Sequence, residues 1–376
     1  ISKRYRRDKR IRILSGDVRD PDLAAQAIEG VDIVLHLAAL VSPAADLKPE
    51  LAMSVNVGGT ENLIEAIRQS PRRNDIRFVY IGSVAETGDR MPPLHWGRVG
   101  DPIKPSILDH YAVSKVQAER AVIDSGLRYW VSLRMTGITY YRIVNIADPI
   151  MFHQPLNNCL EWVTAHDAGL MLLHLCQYDL PDAFWCDIYN VGGGPGCRLT
   201  GYQYMRKIYR ALGVRRINKV MEPNWFALRN FHGQYYLDSD VLEKYLHFQT
   251  ESIDLFVRKL RMRLSFKTWL IRFTPLPVIR AALHKLAHAR NGPLHWVDHQ
   301  LEESVRAFFG SWGHYQRIPG WSTFPLLLNA ADLPPVVLDH GYDETKPPQA
   351  LNLSDMQSAA AFRGGSCLSD SMAEGN

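Results

Sequence analysis

Residues 110–138 read HYAVSKVQAERAVIDSGLRYWVSLRMTGI, a stretch with helical spacing that stops at Gly126 and leads into an apolar run. A glycine just past the last periodic residue is a typical helix stop. The run after it, 128–138, has the continuous apolar character of a strand buried on both faces of a parallel sheet. A helix followed at once by such a strand is the repeating unit of parallel, doubly wound sheets.

The same alternation runs through the first part of the chain. The pattern predicts strands at 11–17, 31–39, 76–83, 128–138 and 187–194. It predicts helices at 20–30, where Asp20 is the expected N-cap, and at 50–69, 110–126, 162–177 and 199–213. We therefore predict an α/β fold with a doubly wound parallel sheet.

The alternation ends near residue 250, and we predict three regions. Residues 1–250 form the sheet domain, with substrate-binding segments within 138–250. Residues 251–324 form a helical basic extension, and 325–376 form a proline-rich arm and tail with one short helix capped by Ser354. Residues 251–290 hold nine Lys or Arg against two acidic residues. Packing is the favoured interpretation of this basic segment, and the alternatives are a lid, an oligomer contact or contact with a membrane surface.

Composition restricts the function classes. The chain has 376 residues, 22% charged, and a net charge of +4, which does not indicate nucleic acid as a partner. Its five cysteines form no CxxC pair, which argues against a disulfide framework or a zinc ribbon and predicts a reducing compartment. No signal or membrane-span pattern is apparent, and we expect a cytoplasmic protein. Four histidines at near-helical spacing lack a carboxylate or cysteine partner, and no metal site is predicted: His284, His288, His295 and His299.

Tyr111 and Lys115 lie four residues apart on the predicted helix and therefore face the same side. Hydride transfer at a carbinol or ketone needs a proton donor or acceptor beside the reacting oxygen, and a nearby ammonium lowers the pKa of a tyrosine. Ser83, at the end of the predicted strand 76–83, can hold the same oxygen, because ligands of open α/β sheets bind at the carboxyl ends of the strands. The three residues predict a dehydrogenase or reductase site.

Six ordered motifs carry a resemblance to a known family: GDVRD (16–20), HLAA (36–39), NVGGTENLIEA (56–66), FVYIGSVAETG (78–88), YAVSK (111–115) and YNVGGG (189–194). With these motifs the chain resembles the extended short-chain dehydrogenase/reductases, the NAD-dependent epimerase/dehydratase group. The resemblance implies a Rossmann-like sheet with a smaller substrate-binding part and, as cofactor, NAD or NADP. It implies a small-molecule substrate and a homodimer, with no nucleic acid as partner.

The resemblance also implies roles for single residues. Tyr111 would be the general acid/base, Lys115 would bind the nicotinamide ribose and lower the pKa of the tyrosine, and Ser83 would hydrogen-bond the reacting oxygen. The implied cofactor-binding residues contact the adenine, line the cofactor path or support the strand ends: Asp17, Val18, Leu37, Ala38, Ala39 and Asn56, together with Tyr111 and Lys115.

The chain departs from the family pattern at its start. The family's GxxGxxG turn, whose glycines let the backbone approach a pyrophosphate, does not precede GDVRD here. We expect this turn to lie upstream of Ile1 in the full-length protein. The alternative is a remnant that acts as a non-catalytic cofactor sensor or scaffold.

The leading prediction is an NAD(P)-dependent epimerase or dehydratase that acts on a sugar-nucleotide-like substrate by tyrosine-assisted hydride transfer. The short substrate loop after Ile138 and the apolar segment DPIMF (148–152) favour an alternative substrate. That alternative is a dehydrogenase or reductase of a hydrophobic, sterol-like ketone or alcohol.

Overall fold

Four parallel strands form the centre of the protein, which is described over residues 8–336 in a computed structural model. The strands are β1 (Ile33–His36), β2 (Arg77–Ser83), β3 (Trp96–Gly97), β4 (Tyr129–Met135), β5 (Ile138–Thr139), β6 (Cys159–Glu161), β7 (Val163–Thr164), β8 (Asp187–Val191), β9 (Arg198–Thr200) and β10 (Tyr235–Tyr236). The central sheet has the order β1-β2-β4-β8, and the other strands form two-stranded pairs. The predicted α/β fold with a parallel sheet is confirmed.

The helices cover both faces of this sheet and the region that follows it. They are α1 (Pro21–Ala27), α2 (Ala44–Leu47), α3 (Pro49–Met53), α4 (Gly59–Gln69), α5 (His110–Ile123), α6 (Ala165–Gln177), α7 (Gly201–Ala211), α8 (Ser239–Leu246), α9 (Ile253–Met262), α10 (Phe266–Trp269), α11 (Leu276–Ala287), α12 (Pro293–Asp298), α13 (Glu302–Phe309) and α14 (Trp312–Gln316).

The apolar runs of β2 and β4 are buried on both faces of the sheet. Alternate residues of a strand point to opposite faces, so Phe78 and Tyr80 pack with helices α4 and α5. Val79 and Val131 pack on the other side, with helices α6 and α8. Helices on both faces of a parallel sheet are the doubly wound arrangement that the strand–helix alternation predicts.

Residues 11–17 do not form a strand, and that prediction is wrong. Ile11, Ile13 and Leu14 are exposed, and the backbone hydrogen bonds of the central sheet join β1 only to β2. Within residues 8–336 no strand lies beside 11–17 to accept its backbone hydrogen bonds. Without a neighbouring strand the backbone N–H and C=O groups of this segment have no sheet hydrogen bonds, so the segment is irregular despite its apolar pattern.

The predicted helix 50–69 forms, but with a π-helical turn at Ser54–Gly58 between α3 and α4. Asn56 lies inside this turn, and the hydroxyl of Thr60 donates to its carbonyl at 2.6 Å. π-Helical turns are rare and occur often at functional sites, because the extra residue re-aims the side chains around it.

The described region after residue 250 contains helices α9 to α14. Phe256 and Leu260 of α9 pack against Tyr204 and Ile208 of α7, so this helix lies on the part that follows the central sheet. The chain is not helical between the end of α9 at Met262 and the start of α10 at Phe266. Among the helices of residues 8–336, none is both long and apolar enough to cross a bilayer. The predicted short helix at Ser354 falls outside the described residues.

Candidate active site

Tyr111 and Ser83 meet at the carboxyl end of β2. Tyr111 lies in the first turn of α5, a helix capped by Asp109, whose carboxylate accepts from the backbone N–H of Ala112 at 2.8 Å. Ser83 is the last residue of β2, and its hydroxyl lies near the Tyr111 phenol, where it acts to lower the pKa of that phenol. Two predicted site residues from different elements therefore lie close together.

Lys115 lies one helical turn after Tyr111 and is buried. Its Nζ donates to the carbonyl oxygen of Ile81 on β2 at 2.5 Å and lies 4.0 Å from the centroid of the Tyr80 ring. Burial lowers the pKa of Lys115 to about 8, while the charges of Glu86 and Glu119 oppose that shift. The ammonium is therefore held against the strand that ends in Ser83.

The pKa of Tyr111 differs from the sequence-based expectation. Burial raises the pKa of Tyr111 to about 12, and the nearby Ser83 hydroxyl only partly opposes this. The expected lowering by Lys115 is not observed, because the ammonium is engaged with the Ile81 carbonyl and the Tyr80 ring. The phenol is protonated at neutral pH and is suited to donate a proton.

Hydrogen bonds of Asn56 connect the π-helical turn with the loop after β1 and with α5, the helix of Tyr111 and Lys115. Its side-chain oxygen accepts from Leu40 N–H at 2.7 Å, and its Nδ2 donates to Leu40 O at 3.0 Å and to Ser114 Oγ at 2.8 Å. The Ser114 hydroxyl donates in turn to the carbonyl of Tyr111 at 2.7 Å. The contacts join the loop after β1 to helix α5, and the role of Asn56 in supporting the cofactor-binding strand ends stays a prediction.

The remaining predicted residues lie along the end of β1 and beside α4. Leu37 and Ala38 are exposed and Ala39 is partly buried, directly after the strand. Asp17 is also exposed, and its carboxylate pairs with Arg19 at 2.6 Å, which lowers the pKa of Asp17 to about 2. Val18 packs on α4, where Asn62 Nδ2 donates to its carbonyl at 3.2 Å.

The second glycine of NVGGT, Gly59, lies so close to Val18 that a side chain does not fit there. A Cβ at Gly59 would lie 2.6 Å from Cγ1 of Val18, closer than side-chain contacts allow. The missing side chain lets the turn that carries Asp17 and Val18 approach the helix that follows the π-helical turn.

Sequence reasoning missed a buried charge cluster formed by Glu86, Glu119 and Arg134. Arg134 donates to Glu119 at 2.6 Å, and its Nε lies 3.3 Å from Glu86 Oε2. Glu86 accepts from the backbone N–H of Ser83 at 2.7 Å, and burial raises its pKa well above the ordinary range. A usable signal was present: an arginine inside the apolar run of β4 requires a buried carboxylate partner.

A cavity of about 340 Å³ opens beside the loop that follows β5. Its lining is mostly apolar and aromatic: Tyr140, Ile143, Val144, Ile146, Asp148, Ile150, Met151, Gln154, Trp162, Gly201, Tyr204, Met205, Ile208, Tyr209, Leu212 and Phe231. Phe231 stacks on His232 with ring centroids 4.5 Å apart. His232 Nδ1 lies 3.5 Å from Asp109, the cap of the helix that carries Tyr111. Phe231 and His232 thus connect the cavity to the start of this helix, while Ser83, Tyr111 and Lys115 are not among the residues that line it.

A family match supports the resemblance predicted from sequence over part of the chain, and the parallel sheet shares the fold of solved dehydratases. Residues 2–132 match the model of the 3-beta hydroxysteroid dehydrogenase/isomerase family. This match contains the segments from GDVRD to YAVSK, including Ser83, Tyr111 and Lys115.

Two curated relatives are dehydrogenases. The chain is 33% identical to D-erythronate dehydrogenase from Cupriavidus necator over 129 residues, which are 34% of this chain and 38% of that protein. It is 34% identical to a 3 beta-hydroxysteroid dehydrogenase/Delta 5→4-isomerase from Mycobacterium tuberculosis over 120 residues, 30% of this chain and 31% of that one. The chain thus spans less than two thirds of the length of these relatives.

Solved structures of two dehydratases share the fold. A double mutant of dTDP-glucose 4,6-dehydratase from Streptomyces venezuelae, solved with NAD bound, has a TM-score of 0.55 and 20% identity, covering 71% of this chain and 83% of that one. The Bacillus anthracis dTDP-glucose 4,6-dehydratase in complex with NAD has a TM-score of 0.54 and 16% identity, covering 69% and 81%.

Proposed function

We propose that the protein is an NAD(P)-dependent oxidoreductase whose substrate is a hydrophobic, sterol-like alcohol or ketone. The observation that carries the substrate class is the apolar cavity beside the loop after β5, connected to the helix of Tyr111 through Phe231 and His232. A nucleotide sugar needs several hydrogen-bond partners, and apart from tyrosine hydroxyls the cavity offers three polar side-chain groups: the Asp148 carboxylate, the Gln154 amide and the indole N–H of Trp162. The curated hydroxysteroid dehydrogenase relative supports the same substrate class.

The residues around β1 and α5 fit the nicotinamide end of the cofactor. Exposed Leu37 and Ala38 leave the strand end open to a ligand, and Lys115 lies one helical turn from Tyr111. The bound cofactor would supply or accept the hydride. The family's pyrophosphate turn is not among residues 8–336, and the proposed binding concerns the full-length protein.

In the proposed reduction, the protonated phenol of Tyr111 donates its proton to the substrate carbonyl oxygen. The Ser83 hydroxyl, which lies near that phenol, holds the same oxygen. For the Lys115 ammonium to stabilise the phenolate that remains, it would have to leave the Ile81 carbonyl and turn towards Tyr111, because only an opposite charge nearby favours the ionised form. In the oxidation direction the phenolate takes the proton from the substrate hydroxyl.

The test uses the full-length protein with NAD and NADP and two substrate panels, 3β-hydroxysteroids and nucleotide sugars. Turnover is followed by nicotinamide absorbance for the steroids and by chromatography for the sugars, because an epimerase produces no net reduced cofactor. We expect turnover of a steroid. Turnover of nucleotide sugars alone would replace our proposal with the epimerase/dehydratase prediction.

Tyr111→Phe tests the mechanism. We expect turnover to fall by roughly 100-fold or more, since a general acid contributes about that factor, while cofactor binding measured by fluorescence is retained. Tyr178→Phe, on a tyrosine that stacks on His174 at the end of α6, is the matched control and keeps full activity. Unchanged turnover in Tyr111→Phe contradicts the mechanism, and wild-type protein that binds no cofactor contradicts the oxidoreductase proposal as a whole.

A further inference from the structure

Residues 262–278, here called the apolar segment, present large hydrophobic side chains to solvent. Met262, Phe266 and Phe273 are 78%, 73% and 66% exposed. Three further residues of the segment are also exposed: Leu270, Leu276 and Val278. Single exposed hydrophobics are ordinary, but a contiguous group of this kind marks a surface that binds something.

The apolar segment lies at the rim of the apolar cavity. Thr268 donates through its hydroxyl to Asn145 Oδ1 at 3.2 Å, and both neighbours of Asn145 line the cavity. Arg272 abuts Gly213, where an added Cβ would lie 2.5 Å from Cβ of Arg272, and Gly213 follows the cavity residue Leu212. The exposed hydrophobic surface and the cavity mouth are therefore adjacent.

Cations surround the apolar segment. Arg210, Arg215 and Arg261 line one depression of about 480 Å³. Four more basic residues are exposed nearby: Arg258, Arg263, Lys267 and Arg272. Within residues 8–336 none of these seven has a carboxylate at salt-bridge distance, since the two acids of this region, Asp254 and Glu251, pair with Lys207 and Lys259.

We propose that the apolar segment and its surrounding arginines dock on an anionic lipid bilayer. Aromatic and aliphatic side chains that enter the headgroup region, flanked by cations that attract anionic lipid, are the recognised features of interfacial binding. Docking in this way turns the cavity mouth towards the lipid. It does not depend on the reaction proposed above.

A second copy of the chain fits this surface less well. A twofold contact brings the same patch of each subunit together, so seven cations would face seven cations. Two such cationic surfaces repel each other, whereas an anionic bilayer neutralises them.

The test is co-sedimentation of the full-length protein with vesicles of phosphatidylcholine alone or phosphatidylcholine with phosphatidylserine, at low and high salt. We expect binding to the phosphatidylserine vesicles that weakens at high salt. Phe266→Glu combined with Phe273→Glu, and Arg210→Glu combined with Arg261→Glu, should each weaken binding roughly tenfold or more. Matched controls on other surfaces are Leu173→Glu on α6 and Arg73→Glu in the turn before β2, and both should bind as wild type.

All these side chains are exposed or lie at a depression, so the thermal midpoint should stay within a few degrees of wild type. Binding equally well to pure phosphatidylcholine, or unchanged binding in both double variants, overturns the proposal. If wild type does not bind the vesicles, and a variant loses the self-association that wild type shows in sedimentation velocity, the surface is instead a contact with a second copy of the chain. Cofactor binding measured on the same variants should be unchanged, which separates this result from failure of the proposed reaction.

Discussion

The side-chain amide of Asn56 forms two hydrogen bonds with the backbone of Leu40, accepting from its N–H at 2.7 Å and donating to its carbonyl at 3.0 Å. The same amide reaches Ser114 on α5. The loop after β1 and the helix of Tyr111 are thus positioned by one residue in a π-helical turn.

Asn56→Ala should destabilise the protein by about 1–3 kcal/mol, because it leaves the buried polar groups of Leu40 and Ser114 without partners. It should also weaken cofactor binding, since the loop after β1 lines the proposed cofactor path. Urea unfolding and cofactor fluorescence measure the two effects. Asn62→Ala, which removes a single partly exposed bond to Val18, is the control and should cost under about 1 kcal/mol. Equal losses in both variants would contradict a special role for Asn56.

Arg134→Met should be among the most destabilising substitutions in the sheet. It removes the cation that pairs with the buried side chain of Glu119, a change that costs about 3–5 kcal/mol in comparable pairs. Glu86→Gln should cost less than about 1 kcal/mol, because the raised pKa of Glu86 already favours the neutral carboxyl. The amide oxygen can still accept from Ser83 N–H. Urea unfolding of the two variants compares them directly, and a larger loss in Glu86→Gln would show that Glu86 is ionised.

Lys115 should give the protein a measurable pH dependence of stability. Its pKa is about 8 in the folded state against an ordinary 10.5, so the unfolded state binds more protons between these values. The free energy of unfolding therefore increases as the pH rises through this window. Below pH 8 the burial of the charged ammonium lowers the stability of the folded state by its full amount. Lys115→Met removes this titration. We expect the stability of wild type relative to Lys115→Met to rise between pH 8 and about 10. A constant difference would mean that Lys115 titrates normally.

The sequence was sufficient to predict the parallel sheet and the shared face of Tyr111 and Lys115. Both follow from local periodicity, since residues four apart on a helix share a face whatever surrounds them. The prediction of a strand at 11–17 was wrong because a strand also needs a neighbouring strand to pair with. Whether such a neighbour is present cannot be read from the local sequence.

The ionisation states could not be predicted in the same way. The pKa of Tyr111 depends on its burial and on where the Lys115 ammonium is held, and both are consequences of packing. The Arg134 cluster is likewise assembled from three elements far apart in sequence. The homodimer, the cytoplasmic location and the division at residues 250 and 324 stay predictions.

Ile150→Trp should test the role of the cavity in substrate binding independently of the proposed catalytic residues. Ile150 lines the cavity but lies outside the Ser83–Tyr111–Lys115 group, so a larger ring there should occupy space that the proposed substrate needs. Affinity for a 3β-hydroxysteroid, measured by equilibrium binding, should fall roughly tenfold or more, while cofactor affinity stays as in wild type. Leu173→Trp, on the exposed face of α6, is the matched control for adding an indole. Steroid binding that is unchanged in Ile150→Trp would place the substrate elsewhere and remove the main support for a hydrophobic substrate.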